Sequence, residues 1–353
     1  DLDNGVDGTS GFATTTFEDV DVSDFNNITL SFDWEVIGYN ANNDDARYEV
    51  FHDGIGQGVV YLLDGNGATE SDEGTVSLVI PNTVNILSLE VEIRNNGGSG
   101  YSGFDNFKIE GTYNGLTFSN SSWNPSAPSA ATGSSDVLIM DGTYAVTSDV
   151  SLNDVTVNPN ANITVDAATT LTVNSLTLES TSSSYSSLIL DGSITGTVNY
   201  ERHVNGNTIL GDTNAIGNND LIAPPLSGQT FGAFASANSN LLENPGDANE
   251  KAFAPFDKAT GDYVNYFTTT NALTPLDAGV GYRAATDNTS TLTFTGTVNT
   301  GTVTNNIVNS GPAFAAWNLV GNPYPSYLKV QDFLNFEVAS GVKNLNLFEG
   351  TTA

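Results

Sequence analysis

Residues Val150 to Glu179 read VSLNDVTVNPNANITVDAATTLTVNSLTLE. Three apolar-Thr-apolar triplets recur in this stretch at a step of eight residues: Val155-Thr156-Val157, Ile163-Thr164-Val165 and Leu171-Thr172-Val173. Leu176-Thr177-Leu178 follows at a shorter step. Alternation of apolar residues with Thr marks a strand buried on one face. The gaps, Asn158-Pro159-Asn160-Ala161 and Asp166-Ala167-Ala168-Thr169, carry turn chemistry. Short strands at an even step, with tight corners between them, predict a β-solenoid or a tight β-meander. Working outward, Val137–Met140 turns at Asp141-Gly142 into Tyr144–Thr147. Ser187–Leu190 turns at Asp191-Gly192 and leaves through Thr197–Val204. The spacer therefore spans 136–204.

Residues 1–112 predict a β-domain with strands at Ala13–Phe17, Ile28–Val36, Tyr48–His52, Val59–Leu63, Thr75–Ile80, Leu87–Arg94 and Phe104–Ile109. Ile28, Leu30, Phe32 and Trp34 alternate onto one face, and Leu89, Val91 and Ile93 do the same. Seven such strands predict a jelly-roll-like β-sandwich. Residues 113–135, rich in Ser, Ala and Pro, read as a linker with Trp123 as its anchor. Residues 205–353 predict a further β-sandwich-like domain, cut at its C-terminal side. Its strands fall at Ala252–Phe256, Val264–Thr268, Gly279–Ala284, Thr291–Val298, Gly301–Val308 and Trp317–Val320, with short helices at Gly232–Asn238 and Gln331–Phe336. The expected class is all-β.

Composition narrows the function. Nine Lys and Arg stand against 41 Asp and Glu, a formal charge of −32. Phosphate backbones and anionic membrane surfaces would be repelled. The acidity reads as surface solvation, compatible with divalent-cation binding by some carboxylates. Cysteine is absent, so disulfides, thiolate metal sites and cysteine nucleophiles are excluded. No apolar run approaches the ~20 residues of a membrane span. The chain opens and closes inside strand-like patterns without a signal peptide or initiator Met, which predicts a piece of a larger exported protein.

Several phrases in the second half resemble large secreted proteins of Bacteroidetes exported by the type IX secretion system. They are Asn199-Tyr200-Glu201-Arg202-His203, Asn219-Asp220-Leu221-Ile222-Ala223-Pro224-Pro225, Gly279-Val280-Gly281-Tyr282-Arg283-Ala284 and Trp317-Asn318-Leu319-Val320-Gly321-Asn322-Pro323-Tyr324-Pro325-Ser326. The first domain is similar to jelly-roll modules of such proteins in its Asp-Leu-Asp-Asn-Gly opening and its Phe-Asp-Asn-Phe phrase. The resemblance implies non-catalytic stalk or binding modules on an extracellular or outer-surface protein. It also implies a structural calcium ion held by Asp105 with Asp3 or Asp7.

The residues give their own reading of those sites. Asp1-Leu2-Asp3-Asn4-Gly5-Val6-Asp7-Gly8 places oxygen ligands at alternate positions with glycine for the turn, as calcium loops do. Phe12 stands where an EF-hand needs Glu. Gly103-Phe104-Asp105-Asn106-Phe107 sets an acid between two inward aromatics, although turn-capping is the competing role for these Asp residues. Asn42-Asn43-Asp44-Asp45 reads as a solvated loop. Trp34 reads as core, and Trp123 and Trp317 as packing anchors. Tyr39, Tyr61 and Tyr101 are weak candidates for sugar contact. His52 and His203 are the only histidines, and neither joins a nucleophile-base pattern. Gly65-Asn66-Gly67 is a turn and lacks the context of a phosphate loop. The expected function is a non-enzymatic stalk or adhesin segment with a calcium-stabilised N-terminal module. Its partners would be surface glycans, other surface proteins or, in transit, the secretion machinery. The alternatives are a carbohydrate-binding region of a secreted hydrolase, or cargo caught during export.

Overall fold

The computed structural model describes residues 11–95, 100–129, 133, 135–206, 219–287 and 290–329. The chain is all-β and divides into two compact units, Asp1–Gly115 and Leu116–Ala353. No helix among the described residues is long and apolar enough to cross a membrane, which says nothing of strand-built spans.

The first unit holds β1 (Ala13–Thr16), β2 (Val20–Asp21), β3 (Phe25–Tyr39), β4 (Asp45–His52), β5 (Ile55–Gly56), β6 (Val60–Asp64), β7 (Glu70–Ile80), β8 (Ile86–Arg94) and β9 (Tyr101–Tyr113). Every region that alternation marks as strand is strand. β8 pairs with β1, β2 and β4, and β4 carries β5 and β6. A separate antiparallel sheet runs β7-β3-β9. Ile28, Leu30 and Phe32 from β3 share one apolar cluster with Tyr48 and Val50 from β4 and Leu87, Leu89 and Val91 from β8. Both sheets thus bury the face that period-two alternation makes apolar. A register shift opposite Ser31 and Asp33 places a bulge in β9, with Asn106 at φ 55°. The extra residue resets the phase, so Phe104 and Phe107 both reach the Phe32 ring while Asp105 faces outward. Asn is the side chain that tolerates this left-handed position best after Gly.

The second unit begins with β10 (Leu116–Ser119) and β11 (Ser122–Asn124), inside the stretch read as linker. β12 (Val137–Ile139), β13 (Thr143–Val146), β14 (Val150–Ser151), β15 (Asp154–Val157), β16 (Asn162–Val165), β17 (Thr170–Leu178), β18 (Ser187–Leu190) and β19 (Ser193–His203) come next. Their pairing is parallel: β10-β12-β15-β17-β19 on one side, β13-β16-β18 on another, and β14 with the first half of β17 on a third. This is a β-solenoid of about four turns. The three Thr triplets do not pair with one another. Each sits on a different side of one coil, and its partners lie 18 to 25 residues away, as Val137 to Val155 and Asn162 to Ser187 demonstrate. The eight-residue step is one side plus one corner.

Inside the coils, Val155, Val157, Ile163, Val165, Leu171, Leu176 and Leu178 are all buried, with Thr turned outward. The corners close as the sequence requires. Ala161 N–H bonds Asn158 O with Asn160 at φ 72°, and Thr169 N–H bonds Asp166 O with Ala168 at φ 63°. Gly196 is obligatory, because at φ 128° an added Cβ would lie 2.0 Å from Val173 O.

Beyond the solenoid come β20 (Asp220–Ile222), β21 (Leu226–Ser227), α1 (Phe231–Ala237), β22 (Glu243–Asn244), β23 (Asp247–Lys251), β24 (Phe253–Asp257), β25 (Asp262–Tyr263), β26 (Tyr282–Ala284) and β27 (Thr291–Val298). β27 pairs antiparallel with β19, from Val198↔Gly296 to His203↔Thr291. The solenoid and the C-terminal β-region therefore share a sheet. Phe231 and Phe234 of α1 stack with Phe253 and Phe294 in a buried aromatic cluster. Thr230 caps that helix, its hydroxyl accepting from Ala233 N–H. Three expected strands are absent, and of Trp317–Val320 only Val320 forms an isolated bridge, to Val280. Val264–Thr268 makes only scattered main-chain bonds, such as Tyr266 N–H to Phe253 O. Gly301–Val308 has no partner strand among the described residues, and the Asn318 side chain instead bonds Val308 N–H and O. Gln331–Phe336 lies outside the described residues.

Ile163→Ala should cost about 2–5 kcal/mol in denaturant unfolding, because it removes buried aliphatic volume from the stack. Thr164→Ala, on the outward face, should change stability by less than about 0.5 kcal/mol. Gly196→Ala should destabilise by more than about 1 kcal/mol.

Candidate functional site

Asp3 and Asp7 lie outside the described residues. Asp105 stands on β9 directly opposite Asp33 of β3, both side chains outward. Asp33 accepts from Thr75 Oγ1 at 2.5 Å and Asn106 Nδ2 at 2.7 Å, and these bonds, Thr75 first, lower its pKa. Calcium takes about six to eight oxygen ligands. No group of three or more His, Cys, Asp or Glu assembles among the described residues. Asp33 and Asp105 alone do not fill such a shell.

Asp44 and Asp45, expected in a solvated loop, are instead buried, at 0% and 1% exposure. Asp44 Oδ2 accepts the main-chain N–H groups of Asn40 and Ala41, both at 2.9 Å. Asp45 accepts Gly65 N–H and pairs with the Arg94 guanidinium. Hydrogen-bond donors and a countercharge satisfy what burial would otherwise leave unsolvated. Gly65 makes this closure possible, since a Cβ there would meet Ala41 O at 2.4 Å and Asp44 O at 2.5 Å. Arg94 and Arg47 both stack on the Phe12 ring, at 4.6 and 3.6 Å, and Arg47 bonds Glu92 at 2.7 Å. This arrangement anchors the first described residues to β4 and β8. The sequence marks it only by how few arginines it has.

A second pair of carboxylates gathers at the end of the solenoid. Glu179 follows β17, and Glu201 lies in β19 opposite Thr293. Burial raises the pKa of both, and the Glu179 charge pushes Glu201 further. Arg202 stacks on Tyr185 at 4.2 Å nearby, and His203 N–H donates to Ser180 Oγ. On another side, an open groove of about 430 Å³ runs between β18 and the Val298–Thr302 and Tyr324–Ser326 segments. Leu188 N–H donates to Pro325 O there. Pro325, which lacks an N–H group, lies along this edge of the β13-β16-β18 sheet.

The aromatic expectations divide. Trp34 packs on both clusters of the first unit, and Trp123 packs on Phe118 and Tyr144. Tyr39 is core, its hydroxyl bonded to Ser102. Trp317 is no anchor, because it and Phe314 are each 60% exposed. His52 closes β4 and His203 closes β19. Comparison with protein-family models, with curated proteins and with solved structures finds no match to this chain.

Arg94→Met leaves Asp45 buried without its cation and should cost roughly 3 kcal/mol in urea unfolding. The Glu179–Glu201 pair sets a pH dependence. A folded-state pKa above the unfolded one gives stability that is fully present in acid and is lost as pH rises from the ordinary glutamate range through the raised value. Glu201→Gln should therefore raise the melting midpoint at neutral pH, and the gain should vanish in acid. Exposed Glu18→Gln should change little at either pH.

Proposed function

We propose that the chain is a non-catalytic display segment, a stalk or adhesin piece of a secreted or outer-surface protein. The observation that carries this reading is the solenoid. Its coils form a continuous aliphatic column, its last strand is hydrogen-bonded into the following β-region, and its first is closed by the β10–β11 hairpin. Such a column fixes the spacing of the modules it carries. On this reading the first unit is a jelly-roll β-sandwich and the region after the solenoid a second sandwich-like module. Calcium bound by Asp105 with Asp3 and Asp7 would tie the N-terminal loop to β9. The phrases shared with type IX-exported proteins favour an extracellular setting.

Two measurements test this. Chromogenic glycosides, esters and phosphates should remain intact on long incubation, and turnover that Glu179→Gln or Glu201→Gln abolishes would replace the display reading with an enzyme. Millimolar calcium should raise the melting midpoint of one transition. Ligand at ~100 times its dissociation constant adds about 2.7 kcal/mol to the state that binds it. Chelator or Asp105→Ala should remove the shift, and a midpoint indifferent to calcium would sink the metal assignment.

A further inference from the structure

Thr302–Ser310 is the longest run among the described residues with neither strand, helix, turn nor bend. No residue in it has a positive φ, so the run is extended. All of it except Val303 is exposed, and Ile307 and Val308 keep 46% and 44% of their surface in water. Asn305 interrupts the face that Val303 and Ile307 would otherwise bury, and its amide reaches Ala278 O at 3.4 Å. The run is tied at its ends. Tyr324 Oη donates to Gly301 O at 2.7 Å, and the Asn318 side chain bonds Val308 N–H at 2.9 Å and Val308 O at 3.0 Å. Between these ties, from Thr302 to Ile307, no main-chain group has a hydrogen-bond partner among the described residues.

The chain beyond the run is held without its help. Lys258 Nζ donates to Phe314 O at 3.2 Å, Ala315 O at 2.8 Å and Trp317 O at 2.6 Å, which uses all three donors of an ammonium group. Gly281 N–H donates to Leu319 O at 3.3 Å, and Gly321 N–H returns to Gly279 O at 3.0 Å. Asn299 Nδ2 donates to Pro323 O at 2.8 Å, and Leu188 N–H to Pro325 O at 2.7 Å. Every one of these partners lies upstream of Thr302. A break within the run therefore severs the covalent path and leaves the bonds across it in place.

An endoprotease takes its substrate as an extended strand, through the main-chain groups that a β-ladder would otherwise occupy. A paired or folded segment must open before it can be bound in this way, and that opening limits cleavage. Thr302–Ile307 is extended, exposed and unpaired at the outset, and exposed segments of small and polar residues are preferred sites of nicking. Sequence narrows the enzyme. Thr302–Ser310 holds no charged residue, so a protease that requires Lys, Arg, Asp or Glu at the cut finds no site there. Val303, Ile307 and Val308 are the side chains left for an apolar specificity pocket. We propose that Thr302–Val308 is a proteolytic processing site for an endoprotease selective for aliphatic residues, and that the cut chain stays assembled as two pieces. Water is the co-reactant. As the amide C–N bond breaks, the carbonyl carbon takes the hydroxyl and the nitrogen takes the proton, leaving one carboxyl and one amino terminus. Such processing is compatible with a display segment or an enzyme alike.

Limited digestion of the full chain with subtilisin, which accepts aliphatic side chains and needs no charge at the cut, tests this. Mass spectrometry should place the first cut among the described residues between Thr302 and Asn309. The cut chain should elute from a sizing column with the uncut chain and separate only in denaturant. The Val303→Pro, Ile307→Pro double variant should slow the cut by about tenfold, because proline fixes φ and offers the protease no N–H. Its melting midpoint should be unchanged, since neither N–H is bonded within the described residues. Asn318→Ala, which frees the Val308 main chain, should speed the cut. The protein isolated from its native source should carry a second N-terminus within Val303–Ser310. A first cut elsewhere among the described residues with Thr302–Val308 intact overturns the site. Pieces that part without denaturant overturn the assembled two-piece form. Native protein uncut in this segment shows susceptibility without processing and overturns the proposal.

Discussion

Parallel strands in a solenoid leave no main-chain group free to face a neighbour other than the next coil, so the fold stands or falls on closing both ends of the stack. Each inner coil satisfies the one before it and the one after it. The terminal coils have no such partner. Here the problem is solved by antiparallel pairing at both ends, with β11 folding back on β10 and β27 running along β19. The shorter β13-β16-β18 sheet ends differently, against a proline-bearing segment that accepts a hydrogen bond from Leu188. Pro325 accepts from the edge strand without an N–H of its own, and the one N–H between Pro323 and Pro325, that of Tyr324, donates to Asn322 Oδ1, which limits pairing with other chains.

This dependence explains what the sequence does and does not reveal. Strand positions are legible because one buried face imposes period two, and Ile28–Trp34 and Leu89–Ile93 display it openly. Solenoid and meander look alike at that level. The Thr triplets give the length of one side, but the two folds differ in the partner of each triplet, and that partner lies a whole coil away. The sites are less legible for the same reason. Asp44 is satisfied by the nearby Asn40 and Ala41 N–H groups, but nothing local to Asp45 announces burial, because its donors come from Gly65 and Arg94. Trp317 reads as an anchor because Trp usually is one, and its exposure follows from a loop conformation that Lys258, far off in sequence, imposes.

The chain's scarce cations show where its structure most needs them. It has four arginines, and each lies on an aromatic ring: Arg47 and Arg94 on Phe12, Arg202 on Tyr185 and Arg283 on Tyr263. Lys251 pairs with Glu243, Lys108 with Glu110, and Lys258 ties down the Phe314–Trp317 loop. In a molecule so acidic, long-range repulsion works against compaction everywhere, and a cation relieves it most where it also crosses between segments. A planar guanidinium does both when it stacks on a ring and bonds a carboxylate. Loops far apart in sequence are thereby pinned by single residues rather than by disulfides, which a chain without cysteine cannot form.

Pinning of this kind separates rigidity from burial. A loop stapled by one lysine need not bury its own side chains to stay in place, so it can keep large rings in solvent at fixed spacing. That is the condition for a preorganised contact surface, because the ordering of the loop is complete before a partner arrives and only the partner's own freedom is lost. The same logic runs through the first unit, where Phe12 is held between two arginines and brings the start of the described chain onto β4 and β8. In the second unit the aliphatic column sets length and the few cations set where the loops point. The display reading places function in the surfaces that the pinned loops present, on the base that the column provides.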